Sequence, residues 1–196
     1  KSTLIRILAG VTRADHVEAR LDGAPLELGS PGEAGKAGRR FVHQELNVVP
    51  TLSVAENILL GHRLPRRLGI AVDWRRLHAL AGEALARFGV DHIDPRQKAG
   101  RLGLGDRMLI RLASLLVPGA AAPRVFVLDE PTAALTHGEA SRLFRVIREL
   151  ARGGAAILYV SHRMDEIMAL AQRVTVLRDG QVALSTRIAE TDRPAL

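Results

Sequence analysis

Two short apolar runs, 124–128 and 155–160, lie one helix apart, and the stretch between them, 138–151, carries apolar residues at helical spacing. Strands buried on both faces read as near-continuous Val, Ile and Leu, and two of them joined by a helix form a right-handed parallel βαβ unit. That pattern restricts the chain to an α/β fold with a parallel sheet. With 47% hydrophobic and 25% charged residues over 196 positions, the chain can bury a real core, which excludes a disordered or collagen-like polymer. These residues include no cysteine, so they supply no disulfide framework, no thiolate-bound zinc and no thiol nucleophile.

The chain opens on Lys rather than Met, and Leu4, Ile5, Leu8 and Val11 follow at once at helical intervals. The expectation is that it starts inside an element of a longer polypeptide. Residues 17–28 alternate around Asp22-Gly23, a type I′ turn signal that predicts a β-hairpin. A loop at 29–38 leads to a short strand at 40–43. Ser53, with Glu56 three residues on, has the spacing of a capping box and starts a helix at 54–60. From 63 to 116 the pattern is helical throughout, with Leu77, Leu80, Ala81, Ala84, Leu85 and Phe88 on one stripe, a break at Pro95 and a further helix at 107–116. A helix at 164–171 and a second Asp-Gly hairpin at 173–184, around Asp179-Gly180, complete the order. The expected organisation is one domain, with 1–60 and 117–196 as an α/β core and 61–116 as an inserted helical lobe.

The net charge is +7, and because only Lys1, Lys36 and Lys98 are lysines, arginine carries the basicity. The arginines are scattered among Ala, Gly and Leu, and aromatic residues make up 3% of the chain, so no nucleic-acid partner is expected. No apolar run reaches the roughly 18 residues that cross a bilayer.

The strand at 124–128 runs into Asp129-Glu130-Pro131 at the carboxyl edge, where open α/β sheets bind ligands. Side chains alternate along a strand, so the two acids are expected to point different ways, one suited to Mg²⁺ and the other to a water. A strand end carrying two solvated acids accounts for them equally well at this point. Lys1-Ser2-Thr3 ahead of a helix has the form of the tail of the phosphate-binding loop G-x-x-x-x-G-K-[ST], whose lysine reaches the β- and γ-phosphates and whose hydroxyl holds Mg²⁺.

Three further segments follow in a telling order. They are Phe41-Val42-His43-Gln44-Glu45-Leu46 with Pro50 and Leu52-Ser53-Val54-Ala55-Glu56-Asn57-Ile58; Leu128-Asp129-Glu130-Pro131-Thr132-Ala133-Ala134-Leu135-Thr136; and Tyr159-Val160-Ser161-His162-Arg163. They resemble, in turn, the glutamine loop, the Walker B strand with its D-loop, and the switch-histidine segment of the ATP-binding cassette family of transport ATPases. The resemblance covers essentially the whole chain and is to the sugar-importer branch. Ala133-Ala134-Leu135-Thr136 is similar to the first of the two tandem cassettes that such importers carry on one polypeptide.

The resemblance implies a P-loop NTPase-like α/β fold: a parallel core lacking its first strand, between 155–160 and 173–177, an antiparallel hairpin subdomain and an inserted helical lobe. It implies ATP and Mg²⁺ as cofactors. Glu130 would be the general base, His162 would bond the γ-phosphate, and Gln44 would contact metal or water and report to a membrane partner. Lys1, Ser2 and Thr3 would bind phosphate, with Ser2, Gln44 and Asp129 toward the metal. The implied partners are a second cassette, transmembrane permease subunits and, indirectly, a periplasmic or extracellular sugar-binding protein. The implied location is peripheral, on the cytoplasmic face of the bacterial inner membrane.

The family's signature Leu-Ser-Gly-Gly-Gln has its counterpart in Leu102-Gly103-Leu104-Gly105-Asp106. Leu102, Gly103 and Gly105 would face the nucleotide of the partner cassette, but the serine hydroxyl is absent. A hydrogen bond to a charged group contributes about 1.5 to 3 kcal/mol, so its loss should weaken closure over that ATP roughly ten- to a hundredfold. The glycines of the phosphate loop are also absent from the chain, which implies weak ATP binding by these residues alone. Two alternatives stay open here: a non-catalytic cassette remnant, and a cassette ATPase acting on nucleic acid.

Overall fold

The computed structural model describes residues 1–26, 28, 39–42, 48–118 and 124–191. Helix α1 is Ser2–Leu8, followed by the hairpin strands β1 (Arg20–Leu21) and β2 (Ala24–Pro25) and by β3 (Arg39–Val42). Next come α2 (Val54–Leu59), β4 (Arg66–Arg67), β5 (Ala71–Val72), α3 (Trp74–Ala86) and α4 (Leu104–Ala113). The order ends with β6 (Val125–Asp129), α5 (His137–Arg152), β7 (Ala156–Val160), α6 (Met164–Leu170), β8 (Arg173–Arg178) and β9 (Gln181–Arg187).

Strands β3, β6 and β7 form one sheet in that spatial order. β6 and β7 are parallel, in register from Val125 opposite Ala156 to Asp129 opposite Val160. This is the βαβ unit that the two apolar runs imply, and Phe126, Val127 and Leu128 are buried as such a strand requires. β8 and β9 make a separate antiparallel pair, so among the described residues no strand joins β7 to β8.

Both Asp-Gly hairpins form as the sequence implies. Asp22 and Gly23 have φ of 52° and 80°, and Asp179 and Gly180 have 50° and 80°, the two left-handed residues of a type I′ turn. Asn and Asp tolerate that region better than other L-residues and Gly enters it freely, so the dipeptide fixes each turn.

The chain forms two compact units, Lys1–Phe41 with Pro123–Glu130 and Gly154–Leu196, and Val42–Ala122 with Pro131–Gly153. In the second, α2 packs on α3 and α4. Val54, Ala55, Ile58 and Leu59 of α2, Leu77, Ala81, Ala84 and Leu85 of α3, and Met108, Leu109, Leu112 and Ala113 of α4 are all buried. Each large aliphatic side chain so buried contributes about 1.5 to 3 kcal/mol. This unit is wider than the 61–116 lobe of the sequence reading because the buried face of α2 joins the same core.

Helix starts in this unit are set by side chains. The Ser53 hydroxyl accepts from the Glu56 amide while Glu56 accepts from the Ser53 amide at 2.7 Å, a complete capping box. The Ser53 hydroxyl also donates to Glu56 Oε2 at 2.6 Å, and this bond first, then that of the Ser53 amide, holds the Glu56 carboxyl below its usual value of 4.5. Asn57 then clamps the chain leading into α2, accepting from the Val49 amide at 2.8 Å and donating to the Val49 carbonyl at 3.0 Å.

Two expectations need correction. The stretch from 63 to 116 is not helical throughout, because β4 and β5 form a hairpin turned by Leu68 and Gly69 at φ of 52° and 76°. A Leu-Gly pair is a weak turn signal, and the surrounding apolar residues are compatible with helical spacing. Helix α1 also stops at Leu8, leaving Val11 63% exposed and Leu4 45% exposed, with Ile5 as the buried residue of the helix. Gly10 at φ of 72° explains the stop, since a left-handed glycine ends a helix.

Candidate functional site

β6 delivers two acids to the carboxyl edge of its sheet. Asp129 is the last residue of the strand and half-buried. Glu130 lies just beyond it at φ of 46°, a left-handed conformation that costs a non-glycine residue about 1 to 2 kcal/mol. Its amide still donates to the Val160 carbonyl at 2.8 Å, so β7 holds the residue while its backbone turns away. The direction of the Glu130 side chain is therefore set by that turn rather than by strand alternation. Strain of this kind at the end of a buried strand is a mark of a functional position.

The neighbouring strand supplies the partner. β7 ends at Val160, and in the short connection to α6 the His162 Nδ1 lies 2.9 Å from the Glu130 Oε1. His162 is 68% exposed at its side chain and Glu130 26% exposed. The pair therefore sits at the sheet edge within reach of solvent, where a carboxylate can meet a water molecule. With Oε1 engaged by the imidazole, Oε2 is the oxygen left to accept a proton.

A second cluster underlies the first. Glu166, 5% exposed, accepts from the Tyr159 hydroxyl at 2.7 Å and from the Ser161 hydroxyl at 3.0 Å, and it pairs with Arg163 at 2.9 Å. Sequence alone gives none of these four a role, although three belong to the segment around His162. The available signal was the spacing of Arg163 and Glu166, three apart on one helix face.

In the same unit α1 packs against β6. Lys1 is the N-cap residue of α1, and no side chain caps the helix or places an acid in its first turn. Lys1, Ser2 and Thr3 are exposed. The first amides of a helix have no intrahelical partner, so this end offers N–H groups, two hydroxyls and an ammonium, a donor set that suits phosphate oxygens. Gln44 lies outside the described residues.

The signature counterpart belongs to the other unit. Leu102 closes a short 3₁₀ turn, Gly103 is the N-cap of α4 without a capping side chain, and Gly105 lies in its first turn. A Cβ on Gly105 would stand 2.9 Å from the Glu139 Oε1 and 3.3 Å from the Ala134 carbonyl oxygen, so a side chain there must displace the Glu139 carboxylate. Asp106 is paired with His92 at 2.8 Å. The structure thus brings Glu130 and His162 together, with Asp129 beside them in sequence, and shapes the Leu102 to Gly105 turn as a backbone-lined helix start.

The fold and sequence have clear relatives. The chain is 47% identical over 192 residues to a ribose import ATP-binding protein of Chromobacterium violaceum, covering 98% of this chain and 37% of that protein. It is 40% identical over 192 residues to the ribose import ATP-binding protein of Bacillus subtilis, covering 98% of this chain and 38% of the relative. It therefore spans well under half the length of these curated relatives. Among solved structures, an ATP-binding cassette of an ABC transporter in its ADP conformation aligns with a TM-score of 0.76 at 25% identity, over 95% of this chain and 75% of that one. A model of the ABC transporter family matches residues 1–133. On the match of that model to more than half of its residues, the chain belongs to the ABC transporter family.

Proposed function

We propose that this chain is the ATP-binding and ATP-hydrolysing cassette of a sugar importer, with ribose and related monosaccharides as the substrate class. The observation that carries the reading is the Glu130–His162 pair at 2.9 Å, set at the end of a buried parallel strand by a left-handed turn. The similarity to ribose import ATP-binding proteins supports the cargo class.

Bound ATP with Mg²⁺ would supply the phosphoanhydride bond whose cleavage drives transport. Lys1, Ser2 and Thr3 would hold phosphate oxygens, and Ser2 and Asp129, with Gln44, would hold the metal and its waters. Glu130 takes the proton from the attacking water at Oε2, a role worth about 10² to 10⁴ in rate for a positioned general base. His162 meets Oε1 through Nδ1, and with both ring nitrogens protonated its Nε2 would donate to a γ-phosphate oxygen. Leu102, Gly103 and Gly105 would face the nucleotide held by a second cassette. The proposed partners are that second cassette, transmembrane permease subunits and, through them, an external sugar-binding protein. The proposed place of work is the cytoplasmic face of the inner membrane, peripheral to the permease.

Uptake of labelled ribose in cells carrying the full polypeptide and its permease tests this reading. The native protein should support uptake and His162→Ala should abolish it. Equal uptake with and without the native protein would overturn it. A second reading, a cassette that binds nucleotide without effective closure, is favoured by the missing hydroxyl at Gly103. Under that reading uptake is unaffected by Glu130→Gln.

A further inference from the structure

We infer that Glu166 is the positioning residue of this site: its buried carboxylate fixes the 159–163 segment and, through that segment, the contact of His162 with Glu130. The inference rests on the reading of Glu130 and His162 as the hydrolytic pair.

A side chain that is 68% exposed, as His162 is, has few neighbours to select its rotamer. Its direction must come from its backbone and from the one partner it meets. The backbone on both sides of it is held by a single group. Glu166 Oε2 accepts from Tyr159, three residues before His162, and from Ser161, one before. Its Oε1 pairs with Arg163, one after. The Ser161 hydroxyl in turn accepts from the Arg163 amide at 3.0 Å, which closes a small turn around His162. A carboxylate buried to 5% exposure is tolerated only with donors of this number and charge.

Two other helices of the molecule show that this arrangement is not ordinary capping. α2, α5 and α6 each carry Glu at the third helical position: Glu56, Glu139 and Glu166. Glu56 and Glu139 turn back to the amide of their own N-cap residue, completing capping boxes with Ser53 and Thr136. In α6 the N-cap residue is Arg163, which has no capping side chain, and its amide is already taken by Ser161. Glu166 is thereby released from the helix terminus and turns under the loop that carries His162. Only a group accepting at both ends satisfies this role, since an amide would direct N–H donors at Arg163 or at the two hydroxyls.

The test is spectroscopic and uses the full polypeptide with ¹⁵N-labelled imidazoles, the His162 signals being assigned by their loss in His162→Gln. In the nucleotide-free native protein His162 should show the tautomer protonated at Nδ1, because that nitrogen lies 2.9 Å from the Glu130 carboxylate. Glu130→Gln and Glu166→Ala should both shift it toward the Nε2-protonated form. Glu166→Ala and Glu166→Gln should lower kcat for ATP about tenfold or more with KM changed less than twofold, the expected size for losing a charge-assisted contact. Glu166→Asp should recover part of the signal. Should Glu166→Ala fail to fold, Ser161→Ala and Tyr159→Phe each remove one donor and should shift the tautomer in the same direction by less. Retention of the native tautomer and rate in the Glu166 variants, with loss in Glu130→Gln, overturns the positioning role and leaves the pair intact. Retention of the native tautomer in Glu130→Gln overturns the pair and this inference with it.

Discussion

The edge of the β6–β7 sheet and the turn ahead of α4 both present chain to a nucleotide in the proposed mechanism, and they are built in opposite ways. At the first, function lies in side chains: Glu130 is turned into a left-handed conformation, His162 is paired with it, and Glu166 holds the loop by accepting from Tyr159 and Ser161 and pairing with Arg163. At the second, function lies in backbone: Gly103 caps α4 without a side chain, and Gly105 lies against the Glu139 carboxylate. The contrast shows which losses a fold resists. Replacing an N-cap serine by glycine changes stability by only a few tenths of a kcal/mol, so stability does not protect the signature hydroxyl. The strained, networked edge has no such neutral route.

The sharpest way to break the comparison is Glu130→Gln. It should lower the ATPase rate of the full polypeptide by about 10² to 10⁴ while moving the melting temperature little, because only a general base is lost. Gly103→Ser acts on the opposite side. It should add a hydrogen bond worth about 1.5 to 3 kcal/mol to closure over a partner's ATP, read as a ten- to hundredfold lower nucleotide concentration for dimer formation. Its effect on stability should be near zero, and a large stability change would mean that the turn is not the simple helix start described here.

Gly105→Ala should destabilise the chain by about 1 to 3 kcal/mol in thermal or urea unfolding. Its Cβ would meet the Glu139 carboxylate, which cannot swing aside without breaking the capping box of α5. The smallest effect is expected at Ser53→Ala, about 1 kcal/mol from the loss of a cap. It carries a pH signature. Glu56 has a depressed carboxyl pKa in the folded chain, so the stability it contributes is present above its unfolded value near 4.5 and is lost as pH falls through the lower folded value. The stability gap between native and variant should therefore shrink on acidification below about pH 4.5.

Most of the fold can be read from local chemistry. The βαβ unit follows from unbroken apolar runs, the two hairpins from Asp-Gly pairs, and α2 from the Ser53 to Glu56 spacing, because each is set by residues near in sequence. The β4–β5 hairpin escapes that reading because Leu68 takes a left-handed conformation its type does not advertise. Glu130 and His162 are legible as a pair only through motif order, since their contact joins strands far apart in the chain. Glu166 is hidden for another reason: a glutamate at the third position of a helix looks like a cap, and only the prior engagement of the Arg163 amide by Ser161 turns it to another use.

The central proposition is that Glu130 readies water for attack on bound ATP. Single-turnover hydrolysis by the Glu130→Gln polypeptide, with nucleotide retention followed on filters, addresses it directly. ATP should bind with near-native affinity and persist unhydrolysed through many native turnover times. Release of ADP and phosphate at the native rate would contradict it.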